Sequence, residues 1–453
     1  GGPVTVIRVN EQGKLTLDSG ALRSVLLQED VRDLPVVVLL VAGAFRTGKS
    51  SILNVLLRFP FLQFEDWLGE PDKPLEGFPW MPGCDAHTEG IVFWSHLIKA
   101  TTAYGKRVAV LLADTQGSFG TSSSTAESVN ICALSVLISS IQVFNVMRNL
   151  QLDHLQHLQT YYEYAKQVQG LVGGASSFQL CVLLVRDWPW PKQHEFGWEG
   201  GERLLQKILG TQKKNKPTDE LRDLRTYFKS CPSSRKCFLM HPPGQTDDGF
   251  SINGAVNGIT PSFNKYLRDF VWGVLSPSEL VVKTVAGVPV TASELCRFVE
   301  KMTPMFSSKK LPVPGIMIGK TAEFISELAR EKALKTYRAS VAENFDAIFS
   351  KFRARHEADR KNHEEKEVWR KLDFFFSYFF SFLRSFFHYF LIRAVGRFGA
   401  VAIALLLATI CIATAVIVEV FLAVTRVLSL TAIGIGLATS YFCYLVFFKA
   451  EEE

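Results

Sequence analysis

The chain has 453 residues and a formal net charge of +6. This length predicts two globular domains with additional sequence, and so small a charge gives no support for nucleic acid as a partner. The eight cysteines form no C-x-x-C pair and no Cys/His cluster, which argues against a zinc site or a disulfide framework and favours a reducing compartment. No signal peptide is expected at Gly1–Val9, which is neither basic nor long and apolar.

Residues 1–276 alternate short apolar runs with helical stretches. This alternation predicts an α/β domain with a doubly wound sheet, in which ligand groups lie at the carboxyl ends of the strands. The predicted strands are Val4–Val9, Pro35–Ala42, Gly90–Ile98, Arg107–Ala113 and Phe178–Val185.

A phosphate-binding loop follows the second predicted strand. Its sequence is Gly43-Ala44-Phe45-Arg46-Thr47-Gly48-Lys49-Ser50, and a helical apolar pattern follows over Ser51–Phe59. The glycines let backbone N–H groups surround phosphates, Lys49 adds positive charge, and the Ser50 hydroxyl can bind Mg²⁺ at a helix N-terminus. The alternative is a chance match to a Gly-rich turn, against which the order of strand, loop and helix argues. The predicted nucleotide contacts here are Gly43, Thr47, Gly48, Lys49, Ser50 and Ser51.

Two later segments provide candidates for metal binding and for sensing the γ-phosphate. Asp114 ends an apolar strand, and Gly117 three residues later can offer its backbone N–H to the γ-phosphate. Thr88 lies between the two motifs, in a segment rich in Pro and Gly, where a switch threonine would complete Mg²⁺ coordination. An ordinary loop threonine fits the spacing of Thr88 equally well. The predicted metal ligands are therefore Ser50, Thr88 and Asp114.

Base selection needs a different motif, because the N-K-x-D of small GTPases does not occur. The predicted strand Phe178–Val185 instead leads into Arg186 and Asp187. A carboxylate at a strand end can accept hydrogen bonds from guanine N1 and N2, which adenine does not offer in that arrangement, so Asp187 is the candidate. The alternative is a surface ion pair between the two residues.

Residues 277–372 predict a helical middle domain. Pro277 and the strand-like Leu280–Val290 mark its start, and neither Pro nor Gly occurs from Lys320 to Val395. An apolar stripe predicts packing on neighbouring helices, whereas the charged Arg353–Lys371 predicts a solvated helix. The stripe consists of Phe324, Leu328, Leu334, Tyr337, Val341, Phe345, Ile348 and Phe352.

The remaining sequence predicts a membrane anchor. Phe398–Val418 and Val427–Phe448 each approach the roughly 20 apolar residues that cross a bilayer, so residues 398–448 predict a transmembrane hairpin, the alternative being two buried core helices. The Phe-rich residues 373–397 predict an interfacial helix, or else a third, re-entrant segment. Basic residues flank both outer ends, which places the nucleotide domain and the short tail, 449–453, in the cytosol.

These motifs together resemble the atlastin branch of the dynamin-like GTPases. The likeness extends over about the first 275 residues. The sequence also resembles the member of this family that carries a RING-finger ubiquitin-ligase module. The likeness rests on VRDLPVVVLLVAGAFRTGKS (Val31–Ser50), HTEGIVFW (His87–Trp94), ADTQGSFG (Ala113–Gly120), LISSIQVFN (Leu137–Asn145), DHLQHLQ (Asp153–Gln159) and LVRDW (Leu184–Trp188).

The resemblance implies a P-loop GTPase domain followed by a helical middle domain and a membrane hairpin. It implies GTP and GDP as ligands with Mg²⁺, a GTP-dependent homodimer, and an endomembrane such as the endoplasmic reticulum, although endosomes are equally compatible. It also implies that Arg46 contacts the phosphates and assists catalysis beside Lys49 and Thr88; an exposed loop arginine is the alternative. The sequence departs from the atlastin pattern in two ways. Its helical middle region is shorter than in typical atlastins, and only Lys449–Glu453 follow the predicted hairpin, so no amphipathic fusion segment is expected there.

Three functions remain open on the sequence. The first is a GTP-hydrolysing enzyme whose head-to-head dimerisation tethers or remodels endomembranes. The second is a membrane-shaping hairpin with regulatory nucleotide binding. The third is a GTPase-regulated ubiquitin ligase whose RING would lie upstream of Gly1, because no RING pattern occurs in this sequence.

Overall fold

The computed structural model divides into two compact units, Gly1–Arg338 and Ala339–Glu453. It describes residues 1–361 except 11, 45–46, 71–72, 74, 80–87, 118–124, 152, 160–178, 211–225, 227–233, 244–258 and 307–310. The second unit is therefore described only over residues 339–361, which are helical.

A mixed sheet forms the centre of the first unit. Its strands run in the order β2-β1-β4-β6-β3-β7-β8-β9, and β5 pairs with β6 beside this path. The strands from β6 to β9 are mutually parallel, whereas β1, β2, β4 and β5 pair antiparallel with their neighbours. The strands are β1 Pro3–Val9, β2 Leu15–Leu17, β3 Val36–Gly43, β4 Ile91–Trp94, β5 Ile98–Thr101, β6 Arg107–Thr115, β7 Ile141–Met147, β8 Leu180–Arg186 and β9 Ser234–Leu239.

Helices cover both faces of this sheet, as a doubly wound domain requires. They are α1 Ser19–Leu26, α2 Lys49–Leu56, α3 Thr125–Ile138, α4 Trp198–Leu209, α5 Pro261–Leu275, α6 Ala292–Met302 and α7 Pro314–Lys361. Alternate residues of β3 point to opposite faces: Val38 and Leu40 pack in the cluster of α1, α3 and α6, while Leu39 and Val41 pack in the cluster of α2 and α5. The prediction of an α/β domain is confirmed.

The strand predictions differ from the structure where polar residues interrupt or fill a strand. The predicted Gly90–Ile98 run is two strands, because the chain bends at Ser95 and His96 before β5. Two parallel strands were not predicted: β7 contains the buried polar residues Gln142 and Asn145, and β9 begins with three polar residues. These segments form strands because they pair with neighbouring strands in the sheet. A local sequence pattern does not show this pairing.

The segment after α5 differs as well. Leu280–Val290 contains a two-stranded hairpin, β10 Thr284–Val285 and β11 Val288–Pro289, in place of one strand. A capping box then starts α6, in which the Thr291 hydroxyl accepts from the Glu294 N–H and the Glu294 carboxylate accepts from the Thr291 N–H. The predicted boundary at residues 276 and 277 stays a prediction.

Burial along the predicted apolar stripe of α7 decreases from Phe324 to Tyr337. Phe324 and Leu328 are buried, whereas Leu334 is half-buried and Tyr337 is exposed. Ion pairs join the first part of α7 to α6, including Arg297 with Glu331 at 2.6 Å. The expectation of packing along the whole stripe is therefore wrong at Tyr337, because α6 does not extend as far as this turn.

The predicted membrane segments lie outside the described residues. These are the interfacial segment 373–397, the hairpin 398–448 and the tail 449–453, together with the end of the middle domain, residues 362–372. Over the part of the chain that is described, no helix combines the length and apolar character needed to span a bilayer. The four described cysteines, Cys132, Cys181, Cys237 and Cys296, are buried thiols without disulfides.

Candidate functional site

The described residues of the loop between β3 and α2 include two glycines whose backbone geometry suits a phosphate-binding loop. Gly43 has φ +151°, and a Cβ there would collide with the backbone carbonyl of Asn145 on the adjacent strand. Gly48 has φ +75° and is the N-cap of α2, which begins at Lys49. Helix N-terminal N–H groups are therefore available at the loop. Phe45 and Arg46 lie outside the described residues, so the prediction for Arg46 is untested.

Lys49 lies within this loop. Its side chain is 7% exposed, and its Nζ donates to the Ala44 carbonyl at 3.2 Å. The Thr47 hydroxyl donates to the same carbonyl at 2.9 Å. Burial lowers the pKa of Lys49, and the nearby Asp114 carboxylate opposes this change. An ammonium group held here can neutralise phosphate charge at little cost in reorganisation.

The three predicted metal ligands meet at one carboxylate oxygen. The Ser50 hydroxyl donates to Asp114 Oδ2 at 2.6 Å, and the Thr88 hydroxyl donates to the same atom at 3.2 Å. Asp114 is 1% exposed, and burial raises its pKa while Lys49, Ser50 and Thr88 act in the opposite direction. Two hydroxyls and a carboxylate are hard oxygen donors, so the set is chemically suited to Mg²⁺.

Gln116 joins the Thr88 segment to the Asp114 strand and was not predicted. Its backbone N–H donates to the Gly90 carbonyl at 2.8 Å, and its side-chain Oε1 accepts from the Gly90 N–H at 3.0 Å. Gly117, the predicted γ-phosphate contact, follows as a buried residue. Its neighbours 118–124 lie outside the described residues. The position of Gln116 inside the D-T-Q-G motif was the signal available in the sequence.

Asp187 has strained backbone geometry and an unsatisfied buried carboxylate oxygen. It follows β8 with φ +52°, a region that non-glycine residues rarely adopt. Its Oδ1 is buried without a hydrogen-bond partner among the described residues. Such strain and unsatisfied polarity are typical of ligand contacts. The prediction of a base-reading acceptor is compatible with this geometry.

Arg186 contacts the phosphate loop and makes no described salt bridge with Asp187. Its Nη1 donates to the Gly48 carbonyl at 3.4 Å, a long hydrogen bond that brings the guanidinium beneath the loop. Burial lowers the pKa of Arg186, and the charge of Asp187 opposes this change. Ser51 lies in the first turn of α2 and is half-buried.

Asn145 is the second residue that the sequence reasoning missed. It is fully buried at the end of β7, and its Nδ2 donates to the Thr47 carbonyl at 2.7 Å. The two amides, Gln142 and Asn145, within a strand that is apolar at its other positions were the available signal.

The phosphate loop connects the parallel strand β3 to α2, and Asp114 of the adjacent strand β6 accepts a hydrogen bond from the Ser50 hydroxyl of this loop. This arrangement defines a class of nucleotide-binding domain. The molecule contains a P-loop nucleotide-binding α/β domain.

Comparison with known proteins gives the family. Residues 12–284 match the family described as guanylate-binding protein, N-terminal domain. The chain is 38% identical to Atlastin-2 of Xenopus laevis over 75% of its own length and 59% of that protein. It is 38% identical to Atlastin-3 of Mus musculus over 76% of the chain and 64% of the relative, and 37% identical to Atlastin of Drosophila melanogaster over 71% and 60%.

The chain therefore belongs to the guanylate-binding protein family, and it is similar to atlastins over most of its length. It spans about three fifths of the length of the relatives it matches.

Proposed function

We propose that the protein binds GTP and hydrolyses it to GDP and phosphate. The observation that carries this proposal is the meeting of Ser50 and Thr88 at Asp114 Oδ2. Ser50 belongs to the phosphate loop, Thr88 to the segment before Gly90, and Asp114 to the strand β6. One bound ion could therefore contact all three segments. Ser50, Thr88 and Asp114 would hold Mg²⁺, which offsets negative charge on the phosphates when bound.

The protein's own groups would supply positioning and charge. Backbone N–H groups from Gly43 to Ser50 surround the phosphates, and Lys49 places its charge beside them. The N–H of Gly117 meets the terminal phosphate. Arg46, by resemblance, offsets charge that develops on the phosphates during hydrolysis. The Asp187 carboxylate, whose Oδ1 lacks a hydrogen-bond partner among the described residues, selects guanine by accepting from its N1 and N2 donors.

We further propose that hydrolysis drives a membrane function through a GTP-dependent homodimer. Two long apolar segments, Phe398–Val418 and Val427–Phe448, support an endomembrane anchor with the nucleotide domain in the cytosol. Family membership supports dimerisation of GTP-bound heads, which would bury at least about 1,200 Å² in a stable pair.

Phosphate release by the full chain tests the hydrolysis proposal. We expect release with GTP and not with ATP, and its loss in Lys49→Ala, because that change removes the only charge of the loop that the structure describes. Lys99→Ala is the matched control, since Lys99 is an exposed lysine paired with Asp30. Wild-type turnover in Lys49→Ala contradicts the proposal.

The same variant separates the proposed enzyme from a hairpin that shapes membranes by itself. Under the enzyme proposal, Lys49→Ala abolishes both phosphate release and changes in vesicle shape. Persistent shape changes without phosphate release favour the hairpin alone. Sizing the full chain with GDP and with a non-hydrolysable GTP analogue tests the dimer, and identical monomer profiles count against it.

A further inference from the structure

A phosphate-binding loop has a requirement on its inner side as well as on its ligand side. For backbone N–H groups to point at phosphates, carbonyl groups of the same peptides must turn toward the protein. Buried carbonyls need hydrogen-bond donors, since an unsatisfied one is costly. Donors beneath the loop therefore help to decide whether it holds the conformation that binds nucleotide.

Asn145 supplies such a donor. Its Nδ2 lies 2.7 Å from the Thr47 carbonyl oxygen, two residues before Lys49. The Asn145 backbone also lies against Gly43, with which it pairs in the register of β3 and β7. Asn145 thus contacts the loop at its first residue through the backbone and near its last turn through the side chain.

The polarity of Asn145 is not explained by packing. Its side chain is fully buried beside Phe144 and Val146, and its Oδ1 has no hydrogen-bond partner among the described residues. A leucine of similar volume would avoid that unsatisfied oxygen. The amide therefore costs stability, and the contact it makes in return is the one with the loop.

A second donor reaches the next carbonyl from the adjacent strand. Arg186, at the end of β8, donates to the Gly48 carbonyl. Consecutive carbonyls of the loop are thus held by side chains from consecutive strands of the sheet. Since Asp187 follows Arg186 directly, this arrangement also joins the base-reading residue to the phosphate loop.

We infer that Asn145 is a positioning residue that holds the phosphate loop in its nucleotide-binding conformation by donating to the Thr47 carbonyl. The inference rests on the proposed function, GTP binding at this loop. Asn145 acts on phosphate affinity and leaves the choice of base to Asp187.

The test compares Asn145→Leu with Gln142→Leu in the full chain. Gln142 is a matched control, because it is a buried amide on the same strand that donates to Ser135 on α3 and also has an unsatisfied oxygen. Binding of fluorescent GDP should weaken about tenfold or more in Asn145→Leu and remain near wild type in Gln142→Leu. The ratio of affinities for GDP and ADP should not change. Asn145→Asp, which keeps the side-chain shape and removes the donor, should weaken binding similarly.

Thermal unfolding without nucleotide separates this role from a structural one. We expect Asn145→Leu and Gln142→Leu to unfold at similar temperatures, since each change removes one unsatisfied oxygen and one side-chain hydrogen bond. Equal loss of binding in both variants, or GDP binding within twofold of wild type in Asn145→Leu and Asn145→Asp, overturns the inference. Loss of guanine preference also overturns it, by assigning Asn145 to the base. A wild-type chain that fails to bind GDP refutes the proposed function itself.

Discussion

Replacing Asp187 by Asn tests base recognition at a single functional group. The substitution keeps the size of the side chain and exchanges a carboxylate oxygen for an NH₂ donor. Oδ1 of Asp187 is already buried and lacks a partner among the described residues, so guanine binding adds hydrogen bonds with little further desolvation of that oxygen. In the variant, donors would face the N1 and N2 donors of guanine.

The expected loss follows from the type of hydrogen bond. Hydrogen bonds to a charged acceptor contribute about 1.5–3 kcal/mol each. Losing one of them lowers affinity for GTP by roughly 10- to 150-fold. Xanthine carries a carbonyl oxygen where guanine carries its amino group, so xanthine nucleotides should bind the variant better than the wild type. Hydrolysis per bound nucleotide should change far less, because Asp187 does not touch the phosphates in this proposal.

Competition binding with GDP, xanthosine diphosphate and ADP measures the effect. The expected result is a reversal of the guanine-over-xanthine preference in Asp187→Asn. An unchanged preference over both xanthine and adenine would refute the assignment of Asp187 to the base. Nucleotide-free unfolding temperatures of the variant and the wild type serve as the control for folding.

Three further predictions address the loop, its switch and the sheet. Arg46→Ala should keep GTP affinity and reduce phosphate release by about 10³-fold or more, as a phosphate-contacting arginine would; normal turnover removes its catalytic role. Gln116→Leu deprives the Gly90 N–H of its acceptor, a cost of about 1–3 kcal/mol, so phosphate release should fall about tenfold or more with GDP affinity within twofold of wild type; an unchanged rate contradicts this coupling. Lys283 is buried and donates to the Ser139 carbonyl, and burial lowers its pKa to about 7. The unfolded chain therefore binds more protons than the native state above pH 7, so stability rises with pH. Between pH 7 and 9 the free energy of unfolding measured in urea should rise by about 2–3 kcal/mol more in the wild type than in Lys283→Met. Parallel plots of unfolding free energy against pH would contradict this prediction.

The sequence was most informative where local pattern and structure coincide. The run Pro35–Ala42 is a buried strand because every residue of β3 packs inside the sheet, so a continuous apolar pattern was a sufficient signal. The phosphate loop is likewise a local feature, since Gly43 and Gly48 are required by backbone angles within the loop itself. The proximity of Ser50 and Asp114 could be predicted because the parallel strands β3 and β6 bring their carboxyl ends to one edge, whereas Thr88 precedes β4, which is antiparallel to β6.

Other features could not be read from local pattern. Strand β7 carries Gln142 and Asn145, whose amides are acceptable in the interior only because partners on α3 and the phosphate loop receive their hydrogen bonds. On α7 Leu328 is buried whereas Tyr337 is exposed, although the apolar spacing continues, because burial depends on the extent of the neighbouring helix.

The sequence by itself determined the phosphate loop, the strand that precedes it, the acid and base-reading candidates and the family resemblance, because each depends on residues close together in the chain. Only the tertiary structure decided that Ser50 and Thr88 share one oxygen of Asp114, that Gln116 holds Gly90, and that Asn145 lies beneath the loop. These contacts join residues on or next to different strands, and their distances are set by sheet order and register, which a linear pattern does not contain.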